Sequence, residues 1–251
     1  MNPQDFAEFA WAAKCTATDR AGCCLEIRAD GRCVASDGHR VHLSAPTSLC
    51  AMILPTVIAR IVVGWGEGTE LLPVRPGEIK IVPPPSGYSG SVGVLHLSRC
   101  TLTMPSVDQV IPQGEDTAWV DPKDVRAWCK TTPTPVDGIE HDSKMGWPLA
   151  TLRPCKGLDG ALGRVPPIGL NPGYLADAIV GARGAIGLCH SGDLCSPLRL
   201  SIVRGDLGTR LACNMEGLKI GWRRWWNKEI TDDLLELLSD QKPIPMRNSL
   251  G

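Results

Sequence analysis

The chain has 251 residues, with 26 Lys plus Arg against 27 Asp plus Glu and a net charge of −1. That balance excludes a protein that coats nucleic acid by bulk positive charge, although a local basic stripe stays open. At 43% hydrophobic and 21% charged residues the chain can build a packed core as one large domain or two ordinary ones, and it contains no apolar run near the roughly 20 residues that span a bilayer.

Residues 4–17 read as an amphipathic helix: Phe6, Phe9, Ala10 and Ala13 recur at helical spacing, with Asp5 early and Lys14 late. Two short strands then flank a tight Asp30-Gly31 turn. Ile53 to Trp65 reads as a helix entered at Pro55, followed by strands at Glu70–Val74 and Glu78–Val82. Pro83 to Gly90 is a loop, and Val92–Leu97 and Thr101–Met104 are strand-like. The pattern then restarts. Asp121 caps a helix over Asp121–Lys130, with Pro122 in its first turn. Irregular, strand-rich sequence follows, then a second helix over 173–184 capped by Asn171, and strands at Leu198–Val203 and Thr209–Cys213.

The halves register on one another. Ala10-Trp11 matches Ala127-Trp128, and Pro55 matches Pro172, both at a separation of 117 residues. Equal separations at two landmarks point to a duplicated unit of helix, strands, helix, strands, and so to a two-domain α+β chain with domains at 1–117 and 118–251.

The 11 cysteines are odd in number and form no CxxC pair, so reduced thiols serving as small core residues are expected, with no metal site. The N-terminus shows no basic segment ahead of an apolar stretch, so it does not read as a signal peptide, and a soluble cytoplasmic protein is expected. The sequence contains no GxSxG, HExxH, P-loop or dinucleotide fingerprint. Asp37 and His39 stand close, but no third group completes a catalytic set, and no enzymatic activity or cofactor is expected.

Three segments carry more information: Val34-Ala35-Ser36-Asp37-Gly38-His39-Arg40-Val41, Met104-Pro105-Ser106-Val107-Asp108-Gln109-Val110-Ile111-Pro112, and Pro243-Ile244-Pro245-Met246-Arg247. In that order they resemble the VATDGHRL-like, FPDYxxVIP-like and MPMRL-like segments of the bacterial DNA polymerase III sliding clamp, the β subunit of the replicative polymerase. The stretches Ile168–Ala178 and Ser196–Leu200 also resemble its last domain. The resemblance covers the family's middle domain (1–117) and last domain (118–251), without its first. Ser36 stands for the usual Thr, Val41 for Leu, Met104 for Phe and Ile244 for Met. Residues 219–241, with Trp222-Arg223-Arg224-Trp225-Trp226 and a helix-like Glu229–Asp240, look like an insertion whose first reading is packing.

The resemblance implies a DNA-clamp fold, with two helices on antiparallel sheets in each domain. It also implies a processivity factor that encircles duplex DNA without reading sequence and performs no chemistry. Six domains make a ring, so two per chain imply a homotrimer in place of the family's dimer. The DNA-facing candidates on the four helices are Lys14, Arg60, Lys123, Arg126, Lys130 and Arg183. The resemblance also implies an interdomain cleft for linear peptides of polymerases and the clamp loader. It carries over Ser36, Gly38, His39, Arg40, Val41, Pro105, Val110, Ile244, Pro245, Met246 and Arg247. Val41, Val110 and Met246 suit an apolar floor, and His39 and Arg40 a polar rim. The alternative is a clamp-like peptide-binding protein that does not encircle DNA, or a decoy of a host clamp.

Overall fold

A computed structural model describes residues 1–16, 24–75, 78–85, 95–98, 104, 106–131, 147–148, 152, 154–156, 163, 165, 169–190 and 197–214. The first helix, α1 (Pro3–Ala13), is opened by Asn2, whose side chain accepts from the Asp5 amide at 2.7 Å. It ends four residues short of the expected position, because the Cys15 and Thr16 amides fold back onto the Ala12 and Ala13 carbonyls. The hairpin of β1 (Cys24–Ile27) and β2 (Cys33–Ser36) closes through Gly31 at φ 81, where a Cβ would lie 2.1 Å from the Thr47 carbonyl oxygen. Glycine is therefore required there.

After β3 (Arg40–Leu43), the residues read as the start of a helix at Ile53 form a strand instead, β4 (Met52–Pro55). They pair antiparallel with β1 and alternate buried and half-buried, so sheet pairing overrides the helical reading up to Pro55. The helix α2 (Thr56–Trp65) follows, then a separate sheet of β5 (Glu70–Arg75), β6 (Glu78–Val82) and β7 (Leu95–Ser98).

The second half holds β8 (Ala118–Val120), α3 (Pro122–Thr131), β9 (Trp147–Pro148), β10 (Gly169–Leu170), α4 (Pro172–Ala178), β11 (Ile186–His190), β12 (Leu198–Val203) and β13 (Thr209–Asn214). Asp121 accepts from the Lys123 amide and Asn171 from the Gly173 amide, as their capping roles require. α4 stops six residues early. Gly181 turns the backbone to φ 76, and the Val180 and Gly181 carbonyls are taken by Arg210 and Arg204. Helices α1 and α3 begin at residues 3 and 122, and α2 and α4 at 56 and 172. Among the described residues, no helix is long and apolar enough to cross a membrane.

One eight-stranded sheet, ordered β4-β1-β2-β3-β13-β12-β11-β8, runs through both halves. Its junction is the antiparallel pairing of β3 with β13, which sets Val41 opposite Cys213 and Arg40 opposite Asn214. α1 packs on α2 and α3 on α4, and one apolar core extends from Phe9, Leu25 and Leu54 to Leu175, Ile186 and Ile202.

A charged pair sits inside this core. Arg210 donates to both Glu8 carboxylate oxygens at 2.7 Å, and the two side chains are 2% and 1% exposed. The Ala45 amide and Arg204 also donate to Glu8. The Arg210 guanidinium lies 4.8 Å from the centre of the Trp11 ring, and the Trp11 indole donates to the Ala178 carbonyl at 2.8 Å. His42 stacks on Trp11 at 4.3 Å. None of this network was read from the sequence.

Removing one partner of a buried bidentate pair strands the other charge. Glu8→Gln or Arg210→Met should therefore cost about 3–5 kcal/mol in urea unfolding, and the double variant less than the sum of the two. Burial pushes His42 down to about 4, against the opposing pull of the Trp11 carbonyl. The unfolded ring takes up a proton near pH 6.5 and the folded ring does not, so stability is full above pH 6.5 and falls as pH drops towards 4. The loss should reach about 2–3 kcal/mol. Thermal unfolding against pH should show this slope, and His42→Phe should flatten it.

Candidate binding cleft

The turn from β2 into β3 is closed by its own side chains. The Ser36 hydroxyl donates to the Arg40 carbonyl at 2.9 Å and accepts from the Gly38 amide at 3.1 Å. Asp37 Oδ1 accepts from the His39 and Arg40 amides, both at 2.9 Å. Gly38 sits at φ 88, the left-handed region where glycine costs nothing. This turn launches Arg40 towards α4.

Arg40 is the hub of the region. Its Nε donates to Asp37 and one terminal nitrogen to Asp177, each at 2.9 Å, while the other terminal nitrogen donates to the Lys14 carbonyl at 3.2 Å. Its guanidinium lies 4.4 Å over the Tyr174 ring. Tyr174 and Asp177 are three residues apart on α4 and so share a face. The Arg40 side chain is only 11% exposed, so its charge is spent on joining β3 to α1 and α4, where the sequence suggested a rim contact.

Val41 is fully buried and packs with Val34, Leu43, Val107, Ile111 and Cys213, while Met104 and Leu211 border the cluster. The structure thus brings the strand after the DGHR turn and the segment before Pro112 together. That segment is held at both ends. Arg28 pairs with Asp108 at 2.9 Å, and Arg199 donates to the Pro112 and Gly114 carbonyls, each at 2.7 Å, and to Asp116 at 3.2 Å. Val110 is 36% exposed, and its carbonyl accepts from the Cys213 thiol. Burial raises the Cys213 thiol to about 12, so it acts as an inert apolar wall.

A small cleft of about 20 Å³ opens between β3, β12, β13 and the start of α4. Arg40, Asn171, Tyr174, Leu175, Leu200 and Cys213 are among the residues that line it. Of these, Arg40 belongs to the sequence-derived set; Asn171 was read as a helix cap, and Tyr174 and Cys213 were given no role in the cleft. The signal for Asn171 and Tyr174 was present in the Asn171-Pro172-Gly173-Tyr174 stretch, which a capping motif explained without any need for a site, whereas Cys213 carried none. Pro105, Ile244, Pro245, Met246, Arg247 and the Trp222–Trp226 cluster lie outside the described residues.

The six basic candidates are all exposed. Lys123, Arg126 and Lys130 stand on α3, and Arg60 stands on α2. Lys14 is the residue that ends α1, and Arg183 lies beyond α4. Arg60 and Arg126 also donate to the Thr16 and Ala182 carbonyls, and Lys14 approaches Asp177 at 3.9 Å. On α3 the single exposed acid among these bases is Asp124.

Helix pairs laid on extended antiparallel sheets define an α+β protein of the DNA-clamp fold. Solved structures show the same fold. The sliding clamp of Pseudomonas aeruginosa bound to griselimycin matches with a TM-score of 0.58 at 17% identity, over 85% of this chain and 63% of that one. DNA polymerase III β subunit of Thermotoga maritima matches at 0.57 and 16%, over 86% and 64%. The sliding clamp of Bacillus subtilis matches at 0.56 and 13%, over 83% and 61%. The chain therefore spans less than two thirds of the length of these clamps. No family model matches the sequence, and no curated protein matches it.

Arg40→Lys keeps the charge but cannot serve two carboxylates and a ring at once. Urea unfolding should show a loss of about 1–2 kcal/mol for this variant, and more for Arg40→Ala.

Proposed function

We propose that the protein is a DNA sliding clamp, a processivity factor that encircles duplex DNA and docks linear peptides of a polymerase and its clamp loader. The observation that carries this reading is the clamp fold over 83–86% of the chain, at TM-scores of 0.56–0.58. Residues 1–117 and 118–251 are taken as two clamp domains, the second with an insertion at 219–241. Three chains then supply the six domains of a ring in a closed head-to-tail assembly. Such a protein needs no catalytic group and no cofactor, because it acts by topology.

The excess of exposed bases on α3 supports a DNA-facing role for that helix. Lys123, Arg126 and Lys130 would meet phosphates by charge alone, which permits sliding. The cleft beside Arg40 and Tyr174 would take the partner peptide, with Ser36, Gly38 and His39 shaping its edge. The Val41 and Val110 region and the Ile244-Pro245-Met246-Arg247 segment would complete the apolar surface.

Light scattering of the full chain should give the mass of three chains; that of one or two would overturn the ring stoichiometry. Retention on circular DNA with release on linearisation separates a ring from a peptide-binding decoy, which would be retained on neither. Charge reversal at Lys123, Arg126 and Lys130 together should weaken duplex binding and lower the salt slope by about 0.9 per lost phosphate contact. Val110→Ala combined with Met246→Ala should weaken binding of a clamp-binding peptide. Unchanged affinity would remove the peptide-cleft reading.

A further inference from the structure

The outward side of α3 is a row of bases. Lys123, Arg126 and Lys130 are exposed and recur at i, i+3 and i+7, so they share one side of the helix. Arg126 also reaches the Ala182 carbonyl beyond α4, whereas Lys123 and Lys130 enter no ion pair among the described residues. Apolar ground lies beside the row. Ala127 is exposed on the same side of α3, and Val180, just before the turn that Arg126 holds, is 44% exposed.

The sequence carries a segment of complementary character. Residues 229–240, which lie outside the described residues, hold Glu229, Asp232, Asp233, Glu236 and Asp240 and no Lys or Arg. At i, i+3, i+4, i+7 and i+11 these acids have the spacing of one helical stripe, and Ile230, Leu234, Leu237 and Leu238 have that of an adjacent apolar one. An acidic stripe beside an apolar one matches a basic row beside Ala127 and Val180. The tether is long enough. Glu229 stands 15 positions after Asn214, the end of β13, and such a length of extended chain spans up to about 50 Å. β13 lies three strand spacings, about 14 Å, from β8, the strand that leads into α3.

We infer that residues 229–240 dock on the α3 face in the DNA-free chain and compete with duplex for Lys123, Arg126 and Lys130. This rests on the reading of α3 as DNA-facing. The segment presents to these bases the same charge as a phosphate backbone, so the two occupants exclude one another. Because the segment is tethered, its local concentration does not fall on dilution, and it suppresses loose contacts with DNA. A duplex held inside a ring does not diffuse away and keeps the segment displaced. Salt loosens the internal contact together with the external one, so the intact chain binds DNA more weakly, and with a shallower salt dependence, than the uncovered α3 face does.

The test uses the full chain with Asp232→Asn, Asp233→Asn, Glu236→Gln and Asp240→Asn combined, and a short blunt-ended duplex read by fluorescence anisotropy. This variant should bind duplex about tenfold tighter than the unaltered chain and with a steeper salt dependence. A control that neutralises Glu70, Glu78, Glu115 and Asp206, exposed acids elsewhere, changes the net charge equally and should stay within about twofold. Equal gains in the two variants overturn the inference in favour of a general charge effect. A second measurement needs no variant. Zero-length carbodiimide coupling of the DNA-free chain should join Lys123 or Lys130 to carboxylates of 229–240, and added duplex should abolish these links. Links only to lysines elsewhere, or none, overturn the inference and leave the DNA-facing role of α3 standing. If neither the unaltered chain nor the fourfold variant binds duplex, the DNA reading fails, and this inference falls with it.

Discussion

The buried pair of Glu8 and Arg210 is the interaction on which the rest of the structure depends. The two residues stand 202 positions apart and meet with both carboxylate oxygens engaged, so the first helix is fastened to the last described strand. A charge pair in an apolar core is tolerated only when every lone pair and N–H is used. That condition is closely met here: Arg204 and the Ala45 amide complete Glu8, and the Val180 carbonyl and Trp11 ring occupy the rest of Arg210. The pair therefore ties the first half to the second at a point where losing either partner would leave a buried charge unanswered.

Its consequences reach the cleft by contact. With Arg210 against Trp11, the indole is pinned to the end of α4, and His42 is stacked in a single orientation. The junction of β3 with β13 then carries Arg40 to Tyr174 and Asp177. Two salt-bridged hubs, one buried and one lining the cleft, thus tie the two halves together near the β3–β13 junction. A joint held in this way suits a protein whose proposed action is mechanical: a ring must keep its curvature under load and present its docking cleft in a constant shape.

Much of the fold could be read in the sequence, because helix starts and tight turns are local. Asn171 and Asp121 announced their caps and Gly31 and Gly38 their turns, and the strands read at 70–74, 78–82, 198–203 and 209–213 form within one residue of those bounds. Apart from the early end of α1, which is local, errors fell where a distant partner decided the outcome. Met52–Pro55 carries a helix-compatible pattern but is claimed by β1, and the segment expected to continue α4 turns away at Gly181, where Arg210 and Arg204 take the Val180 and Gly181 carbonyls. Arg40 was visible as a motif residue, yet its task was not, since Asp177 lies 137 positions away.

By itself, then, the amino-acid sequence determined the class of elements, their order, the repeated helix landmarks and the resemblance that pointed to a clamp. Each of these depends on residues within a few positions of one another or on motif order. The tertiary structure alone decided that Glu8 and Arg210 form a pair, that one sheet runs through both halves, and that His42 ends as a buried, neutral ring stacked on Trp11. Those outcomes depend on burial, which sets the cost of a charge or an unpaired nitrogen and is a property of the assembled chain, not of any stretch of it.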